Sequence, residues 1–198
     1  MDTMKIEYKF NFSDFLNRKC LDADSVESAI RITINDVVIT KMIDNQTDDG
    51  FLGENITSVF AGWLNAVPKL LAGEPHSSFF LDSPDTIDFR PKNGLIYIRY
   101  WYPEEHCWDH PDNENDKRFY EHMKKSNREY PNFPDGTPVP PSVLINEFIR
   151  VSEDFLAFIE PYDKEKDRDI AELHKELKRV KEFWKGKSKE YPNPAGNT

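Results

Sequence analysis

Residues 85–102 read Asp85-Thr86-Ile87-Asp88-Phe89-Arg90-Pro91-Lys92-Asn93-Gly94-Leu95-Ile96-Tyr97-Ile98-Arg99-Tyr100-Trp101-Tyr102. Two alternating runs flank Asn93-Gly94, the pair preferred in a two-residue type I′ turn because both positions need a positive φ. With that loop, Phe89 faces Ile98 and Ile87 faces Tyr100 on one side of the ribbon. Asp88 faces Arg99 on the other side, an opposite-charge pair expected on a solvent face. The stretch predicts an antiparallel hairpin, and the rest of the chain is read around it.

Toward the N-terminus the same period of two recurs. Ile6, Tyr8, Phe10 and Phe12 alternate with Lys5, Glu7, Lys9 and Asn11, the pattern of a half-buried strand. Residues 13–28 are polar and predict a loop with at most one helical turn. Ile30-Arg31-Ile32-Thr33-Ile34 then meets Asn35-Asp36 and Val37-Val38-Ile39-Thr40. A loop at Asn35-Asp36 sets Ile34 against Val37 and Ile32 against Ile39. It gathers Ile30, Ile32, Ile34, Val37 and Ile39 on one apolar face. After Asp48-Asp49-Gly50 the period becomes 3.6. Ile56, Val59, Phe60, Trp63, Leu64, Val67, Leu70 and Leu71 predict an amphipathic helix ended by Gly73. Pro68 removes one backbone donor from it, so a kink or break is expected there. Residues 77–81 predict a short strand.

Toward the C-terminus, residues 103–141 form a long irregular excursion punctuated by seven prolines, with a short helix expected over 118–128. Pro141 suits a helix's first turn. Leu144, Phe148, Val151, Phe155 and Phe158 make one stripe, widened by Ile145, Ile149 and Ile159, of a helix packed on the sheet. A last helix is expected over 166–185, with Asp167 and Asp169 at its start and Lys178, Arg179, Lys181 and Lys185 at its end, as the helix dipole favours. Its seam of Ile170, Leu173, Leu177, Val180 and Trp184 is too short for a coiled coil and points to packing on the preceding helix. The fold expected is α+β: a mainly antiparallel sheet built from hairpins with helices packed on one face. One domain covers 1–185, and a flexible tail 186–198.

The composition narrows function. The 198-residue chain is 38% hydrophobic and 13% aromatic, too aromatic for disorder, and no apolar run approaches the ~20 residues of a membrane helix. The first residues lack the basic-then-apolar pattern of a signal peptide, so a cytoplasmic protein with reduced Cys20 and Cys107 is expected. Lys and Arg total 26 against 36 Asp and Glu, a net charge of −10. Such a body repels phosphate backbones and anionic membranes, so neither nucleic acid nor membrane is an expected partner. It attracts a basic protein, and it also keeps a small protein soluble.

Motifs for chemistry are sparse. No Gly-rich phosphate loop, Walker lysine or nucleophile elbow occurs. His106-Cys107-Trp108-Asp109-His110 gathers zinc-ligand types in five residues. Pro103 and Pro111 bracket it and no second ligand pair follows at finger spacing, so no metal site, cofactor or catalytic residue is assigned. Cys107 beside His106 is a nucleophile only if a base depresses its pKa. Asp82, Asp85 and Asp88, like the acids of 109–116, read as solvated charge. Trp101, Tyr102, Trp108, Tyr120, Tyr130 and Phe133 interleave with acids, as protein-binding hot spots do, and residues 101–120 are expected to present the partner-binding face. The partner-binding residues assigned are Trp101, Tyr102, Glu104, Glu105, Trp108, Asp109, Asp112, Glu114 and Asp116. The alternative, equally open here, is that the aromatics turn inward and anchor the excursion.

In size, acidity, α+β order and this acidic-aromatic stretch, the chain resembles small acidic bacterial immunity proteins of polymorphic-toxin systems. The resemblance implies an inhibitor that neutralises a bacterial toxin, and no site residue is carried over by it. The net charge points to a basic partner, the short seam of the last helix to a monomer rather than a homodimer, and the sparse motifs to no enzymatic activity. Two other classes stay open: a small-molecule-binding regulatory domain with an apolar pocket between helix and sheet, and a metal-dependent enzyme using His106, Cys107 and His110.

Overall fold

A computed structural model describes residues 3–10, 28–41, 49–53, 55–79, 86–101, 121, 125, 131–132, 134–163 and 167–191. Strands β1 (Met4–Phe10) and β2 (Ser28–Ile34) pair antiparallel, with Ile6 opposite Ile32 and Tyr8 opposite Ile30. β2 turns through Asn35 and Asp36, at φ 49° and 65°, into β3 (Val37–Val38). Ile34 lies opposite Val37, and the Ile39 N–H donates to the Ile32 carbonyl at 2.9 Å, the register expected from the alternation. Val37 departs from the predicted apolar face. It is 50% exposed, because it sits at the hairpin tip while Ile30, Ile32, Ile34 and Ile39 are buried. β4 (Leu52–Gly53) pairs with β2 at Leu52–Ile30 and completes the first sheet.

Helix α1 (Ile56–Leu71) leaves this sheet. Asn55 Oδ1 caps it, accepting from the Thr57 and Ser58 N–H groups at 3.1 and 3.3 Å. Pro68 lies inside the helix, and of the kink or break expected there, no break occurs. It sits in the last turn, where its missing donor costs one bond, and its own carbonyl still accepts from Ala72. The end is a Schellman closure: Gly73 (φ 89°) donates to the Leu70 carbonyl and Glu74 to the Lys69 carbonyl.

The second sheet is β5 (His76–Phe79), β6 (Thr86–Lys92), β7 (Leu95–Trp101) and β8 (Thr137–Val139), in that order and antiparallel throughout. The β6–β7 register pairs Phe89 with Ile98, Ile87 with Tyr100 and Asp88 with Arg99, as expected. α2 (Pro141–Ile159) starts on its proline, and α3 (Arg168–Lys187) is capped by Asp167 Oδ1. α3 runs two residues beyond its expected end. A 3-10 turn (Ser188–Glu190) then sets Tyr191 against Trp184, ring centroids 6.0 Å apart. Of the helix expected over 118–128, only Glu121 and Lys125 are described, both helical; the loop 13–27 and the tail beyond Tyr191 lie outside the described residues.

The α+β class holds, and the described residues form two four-stranded sheets rather than one. α1 touches β2, β5 and β6, and α2 touches β1 and β7, so the same two helices cover both sheets. One aromatic chain joins them. Tyr8 and Phe10 of β1 meet Phe155 edge-on at 5.5 and 5.6 Å, and Phe155 meets Phe60. Phe60 contacts Trp63, which stacks on Phe148 at 5.2 Å and meets Phe89 of β6 at 5.7 Å. Aromatic pairs of this geometry add ~0.5–1.5 kcal/mol each beyond area burial. The seam of α3 is buried against α1 as well as α2. Trp184 Nε1 donates to Asn146 of α2 at 2.9 Å, and Arg179 donates to Asn65 of α1 at 2.9 Å.

β1 pairs only with β2 among the described strands, and Ile6 turns its backbone polar groups away from that partner. Two side chains of α2 meet them. The buried Glu147 carboxylate accepts the Ile6 N–H, and Arg150 Nη2 donates to the Ile6 carbonyl at 2.8 Å. Glu147 also accepts from Arg150 Nε at 2.7 Å. The helix thereby imitates a neighbouring strand and closes an edge that otherwise invites intermolecular pairing. No described helix is long and apolar enough to cross a membrane.

Candidate functional site

The strongest polar constellation lies on the face of the second sheet turned away from α1 and α2. Alternation puts Ile87, Phe89, Ile98 and Tyr100 toward the helices, so Ser77, Asp88, Arg90, Arg99 and Trp101 share the other face. Asp88 was expected in solvent. It is 1% exposed, and Arg99 opposite it 8%. The described part of the excursion accounts for some of that cover: Arg99 Nη1 donates to the Pro134 carbonyl at 3.4 Å, and Asn132 Nδ2 to the Ile98 carbonyl at 2.8 Å. Solvent-face alternation in the sequence cannot register a segment more than thirty residues away folding back over the sheet.

Asp88 is the hub. Its Oδ1 accepts from Ser77 Oγ at 2.6 Å. Its Oδ2 accepts from Arg99 Nε at 3.0 Å, from Arg99 Nη2, and from Trp101 Nε1 at 2.9 Å. Arg90 Nη2 stands 3.4 Å from the same oxygen. Burial and the neighbouring Arg99 charge pull the Arg90 guanidinium below its ordinary range, and Asp88 offsets part of this. The Arg99 guanidinium also lies 5.4 Å from the Trp101 ring centroid. A carboxylate accepting this many donors has little capacity left for a metal or a substrate proton. Its consequence is mechanical: it fixes the rotamer of Trp101, the last described residue of β7.

Trp101 is therefore the one predicted partner-binding residue the structure describes, half-buried and held on a rigid hairpin. Tyr102, Glu104, Glu105, Trp108, Asp109, Asp112, Glu114 and Asp116 lie outside the described residues, as do His106, Cys107 and His110. Among the described residues no group of three or more His, Cys, Asp or Glu side chains is placed to hold a metal ion.

Two other features bear on chemistry. Ser78 Oγ lies 3.3 Å from His76 Nε2, within reach of a nucleophile–base pair. Its oxygen already accepts from Trp63 Nε1 at 2.7 Å, and no described carboxylate hydrogen-bonds to the imidazole, so the pair reads as structural. A surface cleft of about 220 Å³ opens where the end of α1 meets the β6–β7 turn, lined by Leu70, Leu71, Pro91, Leu95, Ile96 and Tyr191 among others. It is smaller than the roughly 300–1,000 Å³ of small-molecule pockets, and differs from the closed pocket between helix and sheet that a regulatory domain requires.

The chain matches no family model, no curated protein and no solved structure in comparisons with each.

Proposed function

We propose that this chain is a protein-binding module whose contact face is built on residues 101–120, and that its partner is a basic protein. The observation that carries this reading is the anchoring of Trp101 by Asp88 and Arg99. From that fixed root the chain continues into Glu104, Glu105, Trp108, Asp109, Asp112, Glu114 and Asp116, with no Lys or Arg before Lys117. A rigid hairpin aims the segment, aromatics supply contact energy, and the carboxylates steer a cationic partner. The specific form we favour is an immunity protein that neutralises a basic bacterial toxin in the cytoplasm, acting as a monomer and without enzymatic activity of its own.

The reading is tested by association kinetics. A partner captured from its native lysate and then purified should associate with the wild type quickly and with strong salt dependence. Charge reversal at Asp112 and Glu114 should slow association and flatten that dependence, leaving dissociation nearly unchanged. Rates that ignore both substitutions remove this surface from consideration.

A further inference from the structure

We propose that Trp63, Ser78 and His76 form a proton-sensitive latch that fastens the edge strand β5 to helix α1 and lets go when the imidazole takes up its second proton. The inference does not depend on the partner-binding reading.

The geometry points to one proton pattern. Trp63 is 1% exposed and held between Phe148 and Phe89, so its indole N–H has one place to go, Ser78 Oγ at 2.7 Å. Having accepted that hydrogen bond, Ser78 still has its own hydroxyl proton to offer, and His76 Nε2 at 3.3 Å is the partner it faces, so the latch assigns Ser78 as donor and Nε2 as acceptor. Nε2 is then unprotonated and the neutral ring carries its proton on Nδ1. The ring lies over the buried Phe89 at 6.2 Å, nearly parallel at 22°. The relay thus runs from the centre of the core to an edge strand.

Protonation reverses one link. Nε2–H becomes a donor and faces a hydroxyl that is itself donating. If Ser78 accepts from both His76 and Trp63, its own proton loses its acceptor. If Ser78 turns away, the Trp63 N–H is left unpaired in the core, a cost of the kind borne by buried unsatisfied donors. The charged groups around the ring come from the two elements that pack on β5. Lys69 on α1 opposes a second positive charge, and Asp88 on β6 favours it. Burial opposes it most, so the imidazole is held below its ordinary value of 6.5.

The sign of the linkage follows. With its pKa lower in the folded than in the unfolded chain, His76 leaves stability intact above pH 6.5 and erodes it as pH falls from there through the folded value. The erosion acts where α1 meets β5, so β5 loosens before the sheets come apart.

The test is NMR of the full chain, titrated from about pH 8 to about pH 5. At neutral pH His76 should show the Nδ1–H tautomer. As pH falls below 6.5, the Trp63 indole N–H resonance should shift and the β5 amides lose exchange protection, with one common midpoint. His76→Phe keeps the stack on Phe89 and cannot titrate, so it should abolish both changes; His76→Gln is the second variant should Phe fail to fold. Ser78→Ala should displace the indole resonance at every pH. A wild-type indole resonance that stays put over the range, an Nε2–H tautomer at neutral pH, or an unchanged titration in the His76 variants would overturn the proposal.

Discussion

Replacing Asp88 with Ala tests the claim that this carboxylate is the structural root of the partner face. The substitution leaves Arg99, 8% exposed, without the oxygen that receives its Nε and Nη2 protons. Ser77 is exposed and Trp101 half-exposed, so water can serve those two donors, and most of the cost falls on Arg99 and on Arg90, whose Nη2 stands 3.4 Å from the same carboxylate. Removing one member of a buried ion pair costs about 3–5 kcal/mol. In a domain of this size each kcal/mol lowers the melting temperature by roughly 2–4 °C, so a fall of roughly 6–20 °C is expected. Urea denaturation followed by far-UV circular dichroism reads the free energy directly. The double variant Asp88→Ala/Arg99→Met removes the second charge of the pair as well, and should recover at least about half of the loss, since an apolar replacement of both partners is often nearly neutral. An Asp88→Ala variant within about 1 kcal/mol of wild type, or a double variant with strictly additive losses, would refute the reasoning.

Glu147→Ala should cost about 1–3 kcal/mol, because it strips the buried Ile6 N–H of its acceptor. It should also produce concentration-dependent self-association in light scattering, as the β1 edge becomes available for pairing; a variant that stays monodisperse at all concentrations would count against the edge-closing role. Gly50→Ala should be destabilising by more than ~1 kcal/mol in thermal melts: Gly50 has φ 76°, and an added Cβ would lie 2.5 Å from Val38 Cγ1.

How much of this was legible in the sequence depended on the range of the interaction. Asn93-Gly94 carried its own type I′ signal and Asn35-Asp36 a two-residue turn signal, and register followed from them because loop length fixes pairing. The helices were legible from the spacing of Ile56 to Leu71 and of Leu144 to Ile159, since helical burial is periodic along one segment. Pairing between distant strands was not. Alternation in β1 reads the same whether it joins the 85–102 hairpin or, as it does among the described strands, β2 alone, so one sheet was expected where the described residues form two. Burial of Asp88 failed for the same reason: charge opposite charge looks alike on an open face and under a covering segment. Parity along β6 and β7 did place Asp88, Arg99 and Trp101 on one face, and an indole donor beside an Asp–Arg pair was the available hint that this face is closed. The Glu147–Arg150 clamp on Ile6 spans more than 140 residues and had no local signal at all.

The central claim is that the segment rooted at Trp101 is a protein-binding face, and Trp108→Ala measured two ways tests it most directly. Affinity for the purified partner and the melting temperature are taken on the same preparation beside wild type. A loss of about 2 kcal/mol or more in binding, roughly thirtyfold in Kd, is expected with the melting temperature nearly unchanged, because a hot-spot aromatic contributes to the complex and little to the free fold. An unchanged Kd together with the ~3–5 kcal/mol loss of stability that follows from emptying a core aromatic site would contradict it and make Trp108 a core residue.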